Sequence, residues 1–274
     1  MEGFEKGMTS ASIRNLSRSL LALVMGIAAS ACASAQSQTT AAPKTPTEKT
    51  SAASSSDKSN APASGSAADF ASLEGKSLTF DQMLPALPRR VASKSGTPGD
   101  MVNLLLIGTK QQVADAFKAA GWVQPDQSTS DAITHAIQDV VNHTAYSEMP
   151  ISKLYLFGHA QDFGFAEGMP IQIVAERNHF RLWRAPWLDA KGQTVWAGAG
   201  THDVGIERDS AGQLTHRIDP NVDNERAYIL QTLQDAGKVA SSEYLTPADP
   251  VKQALTATGD VYRSDGRILV IYLK

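Results

Sequence analysis

Between Ala33 and Ala68 the chain contains no Val, Ile, Leu, Met, Phe, Trp or Tyr. Of these 36 residues, 24 are Ala, Ser or Thr. Such a segment has nothing to bury that would offset the entropy of ordering it, so disorder is expected. What precedes it is short, and residues 69–274 are left as the only part able to build a core. One globular domain is the expectation there. That part holds nineteen bases against twenty-four acids, a net charge of −5. With no positive excess to release counterions from a phosphate backbone, it is not expected to bind nucleic acid. The single cysteine, Cys32, excludes an internal disulfide framework and a cysteine-based zinc finger.

The N-terminus reads as an address. Lys6, Arg14 and Arg18 form a basic region, and residues 20–31 are almost wholly apolar and end in small residues. Twelve residues are too few to cross a hydrocarbon core about 30 Å thick, so residues 1–31 read as a signal peptide. Two cleavage sites compete. Ala29-Ser30-Ala31-Cys32 is similar to a lipobox, in which the cysteine thiol is acylated and the chain is cut before it. Ala33-Ser34-Ala35 is an equally good site for ordinary signal peptidase. Lipidation at Cys32 is the favoured expectation, with Ala29 standing where Leu is usual. Residue 33 is not the Asp that commonly retains such proteins at the inner membrane. The expected location is then the periplasmic face of the outer membrane, or the periplasm or exterior without a lipid. Residues 32–68 would act as a tether, with a coil span of about 30–36 Å.

In the globular part, Val102–Ile107 is an unbroken apolar run, as in a strand covered on both faces. Thr109-x-x-Gln112 is a capping box that opens a helix with Val113, Phe117 and Ala120 on one face and Gly121 as its stop. Capping accounts for Thr109 without an anion at Gly108–Lys110. Residues 128–141 predict a second helix from the stripe of Ile133, Ala136, Ile137, Val140 and Val141. Asp219 and Pro220 predict a third, with Asp as N-cap and Gly237 as its stop. Strands are expected at 153–157, 180–184, 194–207, 214–218, 238–245 and 267–273. The sum is an α+β domain with a mixed, mostly antiparallel sheet and about three helices.

Gly-x-Ser-x-Gly, His-Glu-x-x-His, Walker and Gly-x-Gly-x-x-Gly motifs are absent. The histidines in or beside strands are His179, His202 and His216. Alternation places His179 with Arg181 and Trp183, His202 with Trp196, Val204 and Ile206, and His216 with Leu214 and Ile218. With Asp203 they are the candidate metal ligands, although their spacing matches no local metal motif. Core histidines with hydrogen-bond partners are the simpler reading. Asp219, Asp223 and Arg226 share one helix face. There the simpler reading is a cap at Asp219 and an Asp223–Arg226 pair. If the polar residues of these segments are buried they need partners, and the nearest supply is one another. The segments around His179, Asp203 and His216 are therefore expected to lie side by side.

The order of several uncommon segments resembles the LssY-like C-terminal domain, a bacterial domain of uncharacterised function. The resemblance rests on VNLLLIG (102–108), AGW (120–122), ISKLYLFGHAQDFGF (151–165) and RNHFRLWRAPW (177–187). It continues through VWAGAGTHDVG (195–205) and THRIDPNVDNERAYI (215–229), a core match over about 99–245. The family's polar motifs fall here on His179, Arg181, Asp203, His216, Asp219, Asp223, Glu225 and Arg226. Together with His202 these are the catalytic candidates. Where the family often pairs histidines, this chain has Asn178-His179 and His216-Arg217, which counts against a metal centre. The sequence leaves any cofactor unknown. Two functions compete. The first is an exported, lipid-anchored envelope protein whose domain binds a ligand or partner. The second is an envelope hydrolase of a phosphorylated or lipid-linked substrate, with or without a metal.

Overall fold

A computed structural model describes residues 67–124, 151–167, 176–208, 214–257 and 259–274. The expected signal peptide, Cys32, the expected tether before Ala67 and the expected helix at 128–141 lie outside the described residues. The chain order begins with α1 (Ala67–Leu73), α2 (Phe80–Ala86), β1 (Arg90–Ala92), β2 (Pro98–Met101) and β3 (Leu104–Ile107). After α3 (Lys110–Ala119) come β4 (Tyr155–Leu156), β5 (His159–Ala160), β6 (Phe163–Glu167), β7 (Glu176–Leu188) and β8 (Thr194–Arg208). The remainder is β9 (Leu214–Ile218), α4 (Val222–Asp235), β10 (Val239–Leu245), β11 (Gln253–Leu255), β12 (Val261–Arg263) and β13 (Ile268–Leu273).

The main sheet has the order β10-β13-β3-β8-β7-β6, with β9 added to β8. Only the β13–β3 pairing is parallel; the others in this sheet are antiparallel. A smaller sheet, β2-β1-β4-β5, and the ribbon β11-β12 complete the fold, which is the expected α+β domain. Four helices are present among the described residues, and none of these is long and apolar enough to cross a membrane.

The two apolar runs explain the centre of the sheet. β3 and β13 are adjacent, and nearly every side chain of both is buried. Their alternate residues feed two cores. Leu105, Ile107, Ile268 and Val270 join Trp183, Trp187, Ala197 and the residues of α1 and α2 on one face. Leu104, Leu106, Leu269 and Ile271 join Phe165, Phe180 and Trp196 on the other, under Val113 and Phe117 of α3 and Ile229 and Leu233 of α4. The α3 capping box is formed in both directions, Gln112 N–H to Thr109 Oγ1 at 3.1 Å and Thr109 N–H to Gln112 Oε1 at 2.8 Å. β7 and β8 make a long hairpin closed by Asp189, whose Oδ1 accepts from the amides of Lys191 and Gln193.

Two boundaries differ from expectation. The third predicted helix starts at Val222 with Asn221, not Asp219, as N-cap. Asp219 instead braces the turn before it, accepting from Asn221 N–H at 2.8 Å and Asn224 Nδ2 at 2.9 Å. The strand expected at 153–157 shortens to Tyr155–Leu156, because Leu154 N–H is taken by the Gln161 side chain rather than by a ladder partner.

Candidate functional site

One face of β7 carries Trp187, Ala185 and Trp183 and then, after every second residue, Arg181, His179 and Arg177. The register sets His179 beside Thr201 and Arg177 beside Asp203 on β8, and Asp203 beside Ile218 on β9. The face is thus apolar at one end and polar at the other, although the side chains of Arg177, His179, Arg181, Thr201 and Asp203 are all buried. Beyond Asp203 the β8–β9 register shifts, and His216 of β9 reaches back to Asp203.

Asp203 is the hub. Its Oδ2 accepts from His216 Nδ1 at 2.8 Å and from Arg177 Nε at 3.1 Å. His179 Nδ1 stands 3.6 Å from the same oxygen, and His179 Nε2 lies 3.2 Å from Thr201 Oγ1. Burial opposes the Asp203 charge, but the imidazoles of His179 and His216 and the Arg177 guanidinium outweigh it and hold the carboxyl well below its usual range. Burial, against the pull of Asp203, pushes His179 down to about 3, so that imidazole is neutral at pH 7. A second pair adjoins. Arg181 donates through Nε to Ser152 O at 3.0 Å and through Nη2 to Ser152 Oγ at 3.1 Å, and its Nη1 faces Asp100 Oδ2 of β2 at 3.5 Å. Burial lowers the Arg181 pKa and raises that of Asp100 despite the facing guanidinium.

The structure therefore brings together His179, Asp203 and His216, with Arg181 as a neighbour. His202 alternates to the opposite face of β8, away from Asp203. Asp219, Asp223 and Arg226 serve elsewhere. Asp223 accepts from Ser264 Oγ at 2.6 Å and Asp265 N–H at 2.7 Å. Arg226 pairs with Asp265 through both terminal nitrogens and with Asp223 at 3.2 Å. These bonds tie α4 to the segment before β13 and account for the residues without a ligand. Glu225 is buried over the other face of the sheet, its Cγ above Gly200. Arg177, Thr201, Ser152 and Asp100 were not singled out from sequence. The alternation of Arg177 with His179 and Arg181 could have marked the first. Asp100 lies 81 residues from Arg181, with no local signal to join them.

His216 is the member of this network that reaches water, its side chain 30% exposed against 4% for Asp203. A carboxylate on Nδ1 fixes the hydrogen there and leaves the lone pair on Nε2, the arrangement of a general base or an oriented ligand-binding histidine. Among the described residues no group of three or more His, Cys, Asp and Glu side chains is placed to hold a metal ion. An open groove of about 450 Å³, lined by Phe70, Phe157, His159, Asp162 and Arg184 among others, is lined by none of the sequence-derived candidates.

No curated protein and no solved structure matches the chain in comparisons with known proteins. A family model described as LssY C-terminus matches residues 84–268, which include every strand from β1 to β12 and the whole Asp203 network. The chain belongs to the LssY C-terminus family.

Proposed function

We propose that this protein is exported, anchored by a lipid on Cys32 at the periplasmic face of the outer membrane, and binds a ligand or protein partner through the end of the sheet where His216 stands. The observation that carries the binding site is the half-exposed His216 held through Nδ1 by the buried Asp203 carboxylate. The basic and apolar N-terminal segments, and Cys32 at their end, support the anchor. Fractionation tests it. Wild type should sediment with membranes, and Cys32→Ser should move essentially all of the protein to the soluble exported fraction. Soluble wild type would remove the lipid from the proposal.

The same Asp–His pair also supports a second reading, a hydrolase of a phosphorylated or lipid-linked substrate with His216 as general base. Inorganic phosphate and p-nitrophenyl phosphate separate the two. Binding alone predicts a saturable phosphate-induced shift of the His216 imidazole resonances and no turnover. Hydrolysis predicts turnover that falls by about 10²–10⁴-fold in His216→Asn. A His216 signal unmoved by either compound would remove a phosphate-directed site from this end of the sheet.

A further inference from the structure

On the face of the sheet opposite the Asp203 network, the register aligns Glu167 of β6, Asn178 of β7 and His202 of β8 in one cross-strand row. All three are half-buried. α4 overlies this end and supplies Glu225 and, three residues on, Tyr228. Gly200, two residues before His202 and on its face, makes the approach possible. A Cβ there would stand only 3.1 Å from Glu225 Cγ, Ile229 Cδ1 and Phe180 Cβ. Tyr228 donates its hydroxyl to Glu167 Oε2 at 3.1 Å, joining helix to row, and its exposed ring is met edge-on by Trp122 at 6.0 Å.

Glu225 is the anomaly. It is 1% exposed, and neither carboxyl oxygen has a hydrogen-bond partner. Buried carboxyl groups are almost always paired, and one that is not calls for a missing partner. Burial first, and then the carboxylates of Asp203, Glu167 and Asp219, push its pKa well above the ordinary range; the His179 main chain, lying outside hydrogen-bond geometry, pulls weakly the other way. Glu225 therefore keeps its proton, and gives it up only when a cation is brought beside it.

We propose that this end of the sheet is a second ligand site, which takes an organic ammonium group between the carboxyls of Glu225 and Glu167 against the Tyr228 ring, the ammonium replacing the Glu225 proton, which is released to water. The chemistry selects that class. Among the described residues no three His, Cys, Asp or Glu side chains are placed to cage a metal ion. An ammonium needs only two or three acceptors, which Glu225, Glu167 and the Asn178 carbonyl supply, and an aromatic ring adds to its binding. This site is separate from the Asp203–His216 end, and neither reading depends on the other.

Propylammonium, with 1-propanol as the neutral isostere, tests it by NMR on the full chain. The expected result is a saturable shift of the Trp122 indole and of the Glu167, Asn178 and His202 amides with propylammonium alone. Glu225→Gln, nearly isosteric, should weaken that binding by at least about tenfold. Glu167→Gln, on the half-buried rim, should weaken it while leaving the remaining spectrum in place. Absence of a saturable shift, equal shifts with propanol, or full affinity in both glutamine variants would overturn the proposal.

Discussion

Asp203→Asn should destabilise the domain by about 3–5 kcal/mol, read from chemical denaturation at pH 7. Asparagine preserves the volume and can still meet His216, so no cavity contributes. What is lost is the charge that Arg177 faces at 3.1 Å, with the two side chains only 8% and 4% exposed. Removing one partner of such a pair leaves the other charge in a poorly solvated site, which costs more than the pair itself contributes. Adding Arg177→Met to Asp203→Asn should therefore recover a substantial part of the loss, a coupling that independent sites would not show. A loss below about 1 kcal/mol in the single variant, the range of an exposed pair, would show that water reaches the network. His216→Asn provides the contrast. It removes the one half-exposed member, leaves the Arg177–Asp203 pair intact, and should lower stability far less.

The parts of the fold that were legible in sequence are those whose signal is local. The runs at 102–107 and 267–273 are apolar at successive positions because β3 and β13 are covered on both faces. Thr109 and Gln112 specify a helix start within four residues. The alternation of His179, Arg181 and Trp183 follows from the strand period, and so does the separation of His202 from Asp203. The juxtaposition of His179, Asp203 and His216 was expected from the need of buried polar groups for partners, and the register provides it. What stayed hidden depends on distant pairing. β1, β2, β4 and β5 are two to four residues long, too short for periodicity to show. Asp100 meets Arg181 only because β2 packs against β8. Asp219 had the composition of a cap, but Asn221 lies nearer the first helical amides and takes that place.

Acid should expose the same network through His179. An unfolded histidine titrates near about 6.5, whereas burial pushes His179 down to about 3 in the folded chain. Below pH 6.5 the unfolded state binds a proton that the folded state refuses until about pH 3. The stability tied to neutral His179 is therefore full above pH 6.5 and is lost as pH falls to about 3. The gap corresponds to roughly 5 kcal/mol at about 1.4 kcal/mol per unit of pKa. Asp203, held low when folded, adds a loss that begins only below the ordinary aspartate range, near pH 4. Glu225 and Asp100 act in the opposite sense. Their raised pKa values favour the fold in acid and weaken it as pH rises through them, which masks part of the histidine slope. The signature is then the difference between wild type and His179→Asn, which removes one titration and leaves the others. Across pH 6.5 to 3, wild type should lose several kcal/mol relative to the variant. The His179 imidazole should remain neutral by NMR through most of that window. Parallel stability curves, or a His179 resonance that titrates near 6.5, would show that the ring is solvated and that the buried hub around Asp203 is open.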